Sequence, residues 1–230
     1  MTNNSTNNQK PDDKVLTTSL FKAMFLSAIL LGFFGVIGTL SVSSVYNLTA
    51  PTIEKNIQQK LLKTLSSVIP DNSYDNDLLS STIEIGPSQL LSSQNKTIVY
   101  QAKLNNDIVA IAFKTTAPDG YSGNISILIG VLTNGNISSV RVISHKETPG
   151  LGDKIDIQRS NWIHSFENTN LDIPDKKHWK VKKDGGYFDQ FSGATITPRA
   201  VVKAVYKALV YVKKNKQLLF EVNNLETVKE

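Results

Sequence analysis

The stretch DQFSGATITPRAVVKAV, residues 189–205, sets two threonines, two very small residues and a proline directly ahead of a helical pattern. A threonine hydroxyl in such a place can cap the helix, or it can receive a group delivered from outside. Thr197 reads as the N-cap and Pro198 as the first helical residue, where a missing N–H costs nothing. Thr195 is then left without a structural task. Free N–H groups near Ala200 and Val201, with the helix dipole behind them, would favour an anion. Arg199 could add a donor to a phosphate, and Gly193 and Ala194 leave room for close approach. A capped helix after a tight turn accounts for the same residues with no ligand. The GxxxxGK[ST] spacing of a P-loop is absent.

A second glycine loop is ETPGLG, residues 147–152. Pro149 before Gly150 specifies a tight turn. Gly152 lets the backbone approach a flat partner. Leu151 at the tip either packs into the core or lies against a ring system, and Glu147 and Thr148 offer an acceptor and a donor. A purely structural loop has the same composition.

Other chemistry is excluded or weak. There is no cysteine, which removes disulfides, thiolate catalysis and Cys-ligated metals. His145, His164 and His178 are scattered, and His145 with Glu147 is too few ligands for a metal. Ser192 has no His/Asp context for a serine hydrolase. Asp184-Gly185-Gly186 reads as a turn. The net charge of +5 comes without a basic block interleaved with aromatics, so no nucleic-acid partner is expected.

The elements that must position these loops follow from periodicity. Residues 1–22 form a polar tail. From Ala23 to Ile53 no residue is charged, and residues 23–46 supply the roughly 20 apolar positions of a membrane helix. The stretch exceeds a signal-peptide core of about 7–15 residues and lacks a good cleavage site. Lys10, Lys14 and Lys22 precede it and Lys55, Lys60 and Lys63 follow it, so the positive-inside rule nearly cancels. Thr49-Ala50-Pro51 should end that helix and start another, with Ile53, Ile57, Leu61, Leu65 and Val68 on one face up to Pro70. Residues 71–96 read as an irregular region, completing a linker and variable segment over 47–96.

Four antiparallel strands are expected at 97–103, 108–115, 125–132 and 137–144. Asn105-Asn106 and Asn134-Gly135 are the hairpin turns, and APDGYSG is a glycine-rich loop between the second and third strands. Ile157, Trp162, Ile163 and Phe166 suggest a short helix. The last helix runs from Pro198 to about Lys214, with Val202, Val205, Leu209 and Val212 on its apolar side. The class is α+β: one transmembrane helix, then a domain over 97–217 with an antiparallel sheet and flanking helices, and a polar tail over 218–230.

Taken together, APDGYSGNISILIGV, HKETPGLGDKI and DGGYFDQFSGATITPRAVVKAV resemble the FMN-binding G subunit of the Rnf ion-translocating electron transport complex. The C subunit of the sodium-pumping NADH:quinone oxidoreductase is a related family. The resemblance covers the anchor and nearly all of the following domain, and is weakest over 66–96. It implies that Asp-x-x-Ser/Thr-Gly-Ala-Thr is a flavinylation motif, met here by Asp189, Ser192, Gly193, Ala194 and Thr195. A flavin transferase, with FAD as donor, would join the FMN phosphate to the Thr195 hydroxyl. By the same resemblance Glu147, Thr148, Gly150 and Leu151 contact the flavin, with Ser192, Gly193, Ala194 and Thr197 completing the cofactor site. The implied protein is an electron-carrying subunit with covalent FMN in the bacterial inner membrane. Its N-terminal tail would be cytoplasmic and its large domain periplasmic. Its partners would be the other subunits of a complex coupling ferredoxin and NAD redox chemistry to ion translocation. A membrane-anchored reductase working alone, or the related quinone-reductase component, are the alternatives.

Overall fold

A computed structural model describes residues 13–70 and 73–221, with side chains from residue 21 onward. The first residues of the expected N-terminal tail and the last of the C-terminal tail lie outside this range. Helix α1 spans Asp13–Ser66. It is long and apolar enough to cross a membrane. At 1.5 Å per residue, the 23–46 segment covers about 36 Å against a hydrocarbon core of about 30 Å. The expected break at Thr49-Ala50-Pro51 does not occur, because Pro51 lies inside α1. Proline removes one N–H and crowds the carbonyl four residues back. The helix nevertheless runs on through it, as long apolar membrane-type helices tolerate proline better than soluble ones.

The chain divides into two compact units, residues 1–58 and 59–230. The second is built on a meander of five antiparallel strands in sequence order. These are β1 Thr82–Ile85, β2 Thr97–Leu104, β3 Asp107–Gly120, β4 Gly123–Leu132 and β5 Ile137–Ser144. Strand β1 falls in the region read as irregular. It is a short edge strand with only Ile85 buried, and its Glu84 pairs with Lys96 at 2.8 Å, so it has almost no apolar alternation to read. The expected glycine-rich loop between the second and third strands shrinks to a hairpin tip. Gly120 pairs with Gly123 after a register shift, leaving Tyr121 and Ser122 at the end.

Both faces of the sheet are covered, and β3 shows how. Ile111 and Phe113 point into one core while Ala110 and Ala112 point into the other, as a period of two requires. The first core is closed by α2, Ile196–Lys214, through Val202, Val205, Leu209 and Val212, all buried. Burying such side chains contributes about 1.5–3 kcal/mol each. The second core is closed by Leu65 at the end of α1 and by Val68 and Ile69 just beyond it, all buried. Ile53 and Ile57, expected on the same apolar face, are exposed.

Asn105 and Asn106 both have positive φ, as a two-residue hairpin turn demands. At the other turn only Gly135 does, and its N–H donates to the Leu132 carbonyl at 2.9 Å. The short helix is a 3₁₀ segment, Asn161–Phe166, that buries Ile163 and Phe166. Ile157 lies outside it and is exposed. Helix α3, Lys216–Phe220, buries Leu219, whose carbonyl accepts from the Gln101 amide at 3.1 Å.

Candidate functional site

The ETPGLG loop leaves the end of β5 and turns at once. The Thr148 carbonyl accepts the N–H of Leu151 at 3.2 Å and of Gly152 at 3.1 Å. Gly150 sits at φ +77°, the value that such a Pro-Gly turn needs. The turn displays Leu151, which is 45% exposed. Leucine is here not part of the core.

Glu147 behaves oppositely. It is only 4% exposed. One carboxylate oxygen accepts the Ser122 N–H from the β3–β4 tip at 3.0 Å. The other accepts the Thr197 hydroxyl at the start of α2 in a short hydrogen bond. One buried carboxylate therefore ties three chain segments together. Gly152 is required beside it, because a Cβ there would lie 2.9 Å from the Thr197 hydroxyl and 3.0 Å from a Glu147 oxygen.

This changes the expected capping of α2. Thr195, not Thr197, occupies the N-cap position, and its side chain makes no capping hydrogen bond. Thr197 lies inside the helix and is fully buried. Its hydroxyl is taken by Glu147, which the sequence pattern does not place nearby. Pro198 sits in the first turn, where a missing N–H still costs nothing. The unpaired N–H groups accordingly belong to the first turn around Ile196 and Thr197, whereas Ala200 and Val201 are further into the helix. Arg199 is also reassigned. Its Nε and one Nη atom each meet an Asp184 oxygen at 2.6 Å, so it is paired with the Asp184-Gly185-Gly186 turn. That fork holds the Asp184 carboxyl below its ordinary range and raises the guanidinium.

The two glycine loops meet around a pocket of about 300 Å³. From the expected residues it gathers Glu147, Thr148, Leu151, Gly193, Ala194, Thr195 and Thr197. Gly193, at φ +79°, brings the motif loop against Leu151, whose Cδ2 would lie 4.0 Å from a Cβ there. Gly150, Ser192 and Asp189 do not line the pocket. Asp189 is exposed and pairs with Lys182 at 2.6 Å. Its carbonyl accepts the Trp162 indole N–H at 2.8 Å, and the Trp162 ring meets Phe191 edge-on with centroids 5.2 Å apart.

Three further residues complete the pocket: Tyr121, Gly152 and Ile196. Sequence reasoning gave Tyr121 and Ile196 no role. The available signal was an aromatic set between glycines in DGYSG, and an isoleucine at a helix start where a polar residue is usual. A larger groove, about 1200 Å³, runs along β2 and β3 past Ile98, Tyr100 and Lys114. None of the site residues lines it. Among the described residues no three His, Asp or Glu side chains gather as metal ligands.

The pocket suits a ligand with two different ends. At the floor, a helix N-terminus offers N–H groups and partial positive charge to a phosphate. At the mouth, Tyr121, Leu151 and Ile196 are 68%, 45% and 48% exposed, an apolar rim for a flat ring. A flavin mononucleotide has this make-up, and Thr195 lines the same pocket.

Fold and site define a membrane-anchored flavin-binding protein. Residues 120–210 match the family model of the FMN-binding domain, and residues 16–68 match that of the RnfG N-terminal region. The G subunit of an ion-translocating oxidoreductase complex from Shewanella piezotolerans is 45% identical, over 86% of this chain and 93% of its own. Subunits of the same name from Aliivibrio fischeri and Pseudomonas aeruginosa are each 42% identical, over 90% and 86% of this chain and 100% and 92% of theirs. The chain belongs to this family, the G subunits of ion-translocating oxidoreductase complexes.

Proposed function

We propose that the protein is an electron-carrying subunit whose FMN is joined through its phosphate to the Thr195 hydroxyl. The complex it serves couples electron transfer between ferredoxin and NAD to ion translocation. The observation that carries the attachment is the position of Thr195. It heads α2 with no capping bond of its own, inside the pocket that the two glycine loops share. A phosphodiester there keeps one negative charge, which the helix N-terminus favours. In the attachment step the threonine oxygen forms a bond to the FMN phosphorus of FAD. The pyrophosphate bond breaks, AMP leaves, and the hydroxyl proton is released.

Bound flavin supplies the redox chemistry, and the chain supplies position and electrostatics. Leu151 and Ile196 shelter a ring from water. Glu147 holds the two loops in register, and Thr148 offers a hydroxyl at the rim. Asp189 and Ser192, both exposed, face outward, where a flavin transferase can read them before the pocket is filled. The large domain works on the periplasmic face, where a tethered cofactor cannot be lost by diffusion. The other subunits of the complex are its partners.

Peptide mass spectrometry across residues 184–199 tests cofactor, bond and residue at once, on protein coexpressed with a flavin transferase and exported. The expected result is an FMN-sized mass on Thr195. An unmodified peptide, or a modification at Thr197, sinks the reading. Purification from native membranes without redox partners would favour the stand-alone reductase instead, and protease accessibility in sealed vesicles tests the orientation.

A further inference from the structure

Tyr121 is a large aromatic that nothing in its surroundings buries. Aromatic side chains usually bury about 150–250 Å², yet this one is 68% exposed. The backbone on both sides of it is tied down. Gly120 pairs with Gly123 directly beneath it, and the neighbouring Ser122 N–H is fixed to the buried Glu147 carboxylate at 3.0 Å. At Gly120 a Cβ would collide with the Gly123 carbonyl and lie 3.0 Å from a Glu147 oxygen. The tip is thus pressed against the floor of the pocket, and Tyr121 lines that pocket with Thr195, Leu151 and Ile196.

A tethered hairpin tip that presents an unburied ring in the same pocket as Thr195 suits a planar partner. We infer that Tyr121 covers one face of the flavin ring system carried on Thr195 and limits its contact with solvent, while Leu151 and Ile196 supply the aliphatic part of the rim. The inference rests on the attachment proposed above. The ring performs this task and the phenol oxygen does not, so phenylalanine serves equally well.

The test uses the full chain, coexpressed with a flavin transferase and purified in detergent, as wild type, Tyr121→Leu and Tyr121→Phe. Samples are matched for covalent flavin by fluorescence on a denaturing gel. Iodide quenching of native flavin fluorescence then reports how open the ring is. Losing one aromatic contact should raise iodide access by about two- to tenfold in Tyr121→Leu, with Tyr121→Phe like wild type. Equal access in Tyr121→Leu and wild type overturns the inference and leaves the attachment standing. A Tyr121→Phe protein as open as Tyr121→Leu also overturns it. If wild type carries no flavin at all, the attachment fails and this inference falls with it. An exposed tip side chain is not needed for folding, and near-ultraviolet circular dichroism confirms that each variant is folded.

Discussion

The Thr197 hydroxyl donates to the Glu147 carboxylate across 50 residues of sequence. Both groups are buried, and the same carboxylate holds the tip of the β3–β4 hairpin through Ser122. The bond therefore couples three segments that each contribute to the pocket wall. Thr197→Val keeps the shape but strands a buried carboxylate oxygen, which costs about 1–3 kcal/mol. Thermal unfolding of the purified protein should show a lower Tm for Thr197→Val and a near-normal one for Thr197→Ser. An unchanged Tm in Thr197→Val would show that the bond carries no stability.

Thr195 should behave in the opposite way. Its side chain makes no capping bond, so Thr195→Ala should leave the Tm of flavin-free protein almost unmoved while abolishing the fluorescent band on a denaturing gel. The pair of variants separates a structural threonine from a modified one. Fluorescence that survives Thr195→Ala points to another residue.

Gly152→Ala inserts a methyl group 2.9 Å from the Thr197 hydroxyl and 3.0 Å from Glu147. Overpacking of this kind costs about 1–3 kcal/mol, and it falls on the bond that ties the loops. The expected outcome is a Tm lowered about as far as in Thr197→Val. The double variant should fall by less than the sum, because both changes disturb one contact. Full additivity would show that the two residues act separately.

The Arg199–Asp184 fork gives a pH dependence with a definite sign. Hydrogen bonds from Arg199 lower the Asp184 pKa in the folded protein. A depressed carboxylate stabilises the fold above its unfolded pKa of about 3.9, and that contribution is lost as pH falls through the folded value. The pair is solvent-exposed, so the effect is small. Asp184→Asn should lower the Tm by a constant amount between about pH 5 and 8, and the gap should close as pH drops below about 4. A gap that widens in acid would contradict the assignment.

The Trp162 indole N–H holds the Asp189 carbonyl at the start of the motif loop, and its ring packs on Phe191. Trp162→Phe deletes the hydrogen bond and keeps an aromatic. Losing one such bond costs about 1 kcal/mol. Hydrogen exchange at the Ala194 amide, which bonds to the Phe191 carbonyl, should then quicken by about fivefold. Unchanged exchange would show that the loop is held elsewhere.

Local pattern was enough for several elements. The uncharged run after Ala23 identifies an anchor because a bilayer demands length and apolarity and little else. The strands expected at 97–103 and 137–144 follow from the hairpin turns beside them, and the buried face of α2 follows from its helical spacing of valines. Strand β1 stayed hidden because an edge strand with one buried side chain has no period to read. Pro51 misled because the rule that proline ends a helix holds less well in a long apolar helix. At the site, the residues of each glycine loop were legible one loop at a time, and so was the spare hydroxyl of Thr195.

Composition and spacing by themselves determined that the chain has a membrane helix, an α+β domain and two loops made for close approach. These are properties of short stretches, set by side-chain size, charge and periodicity. Only the tertiary structure decided that Thr197 serves Glu147 and not the end of its own helix, that Arg199 is paired with Asp184, and that Tyr121 reaches the pocket. Each of these depends on a partner far away in sequence, and a hydrogen bond or a pocket wall exists only once folding has brought both sides together.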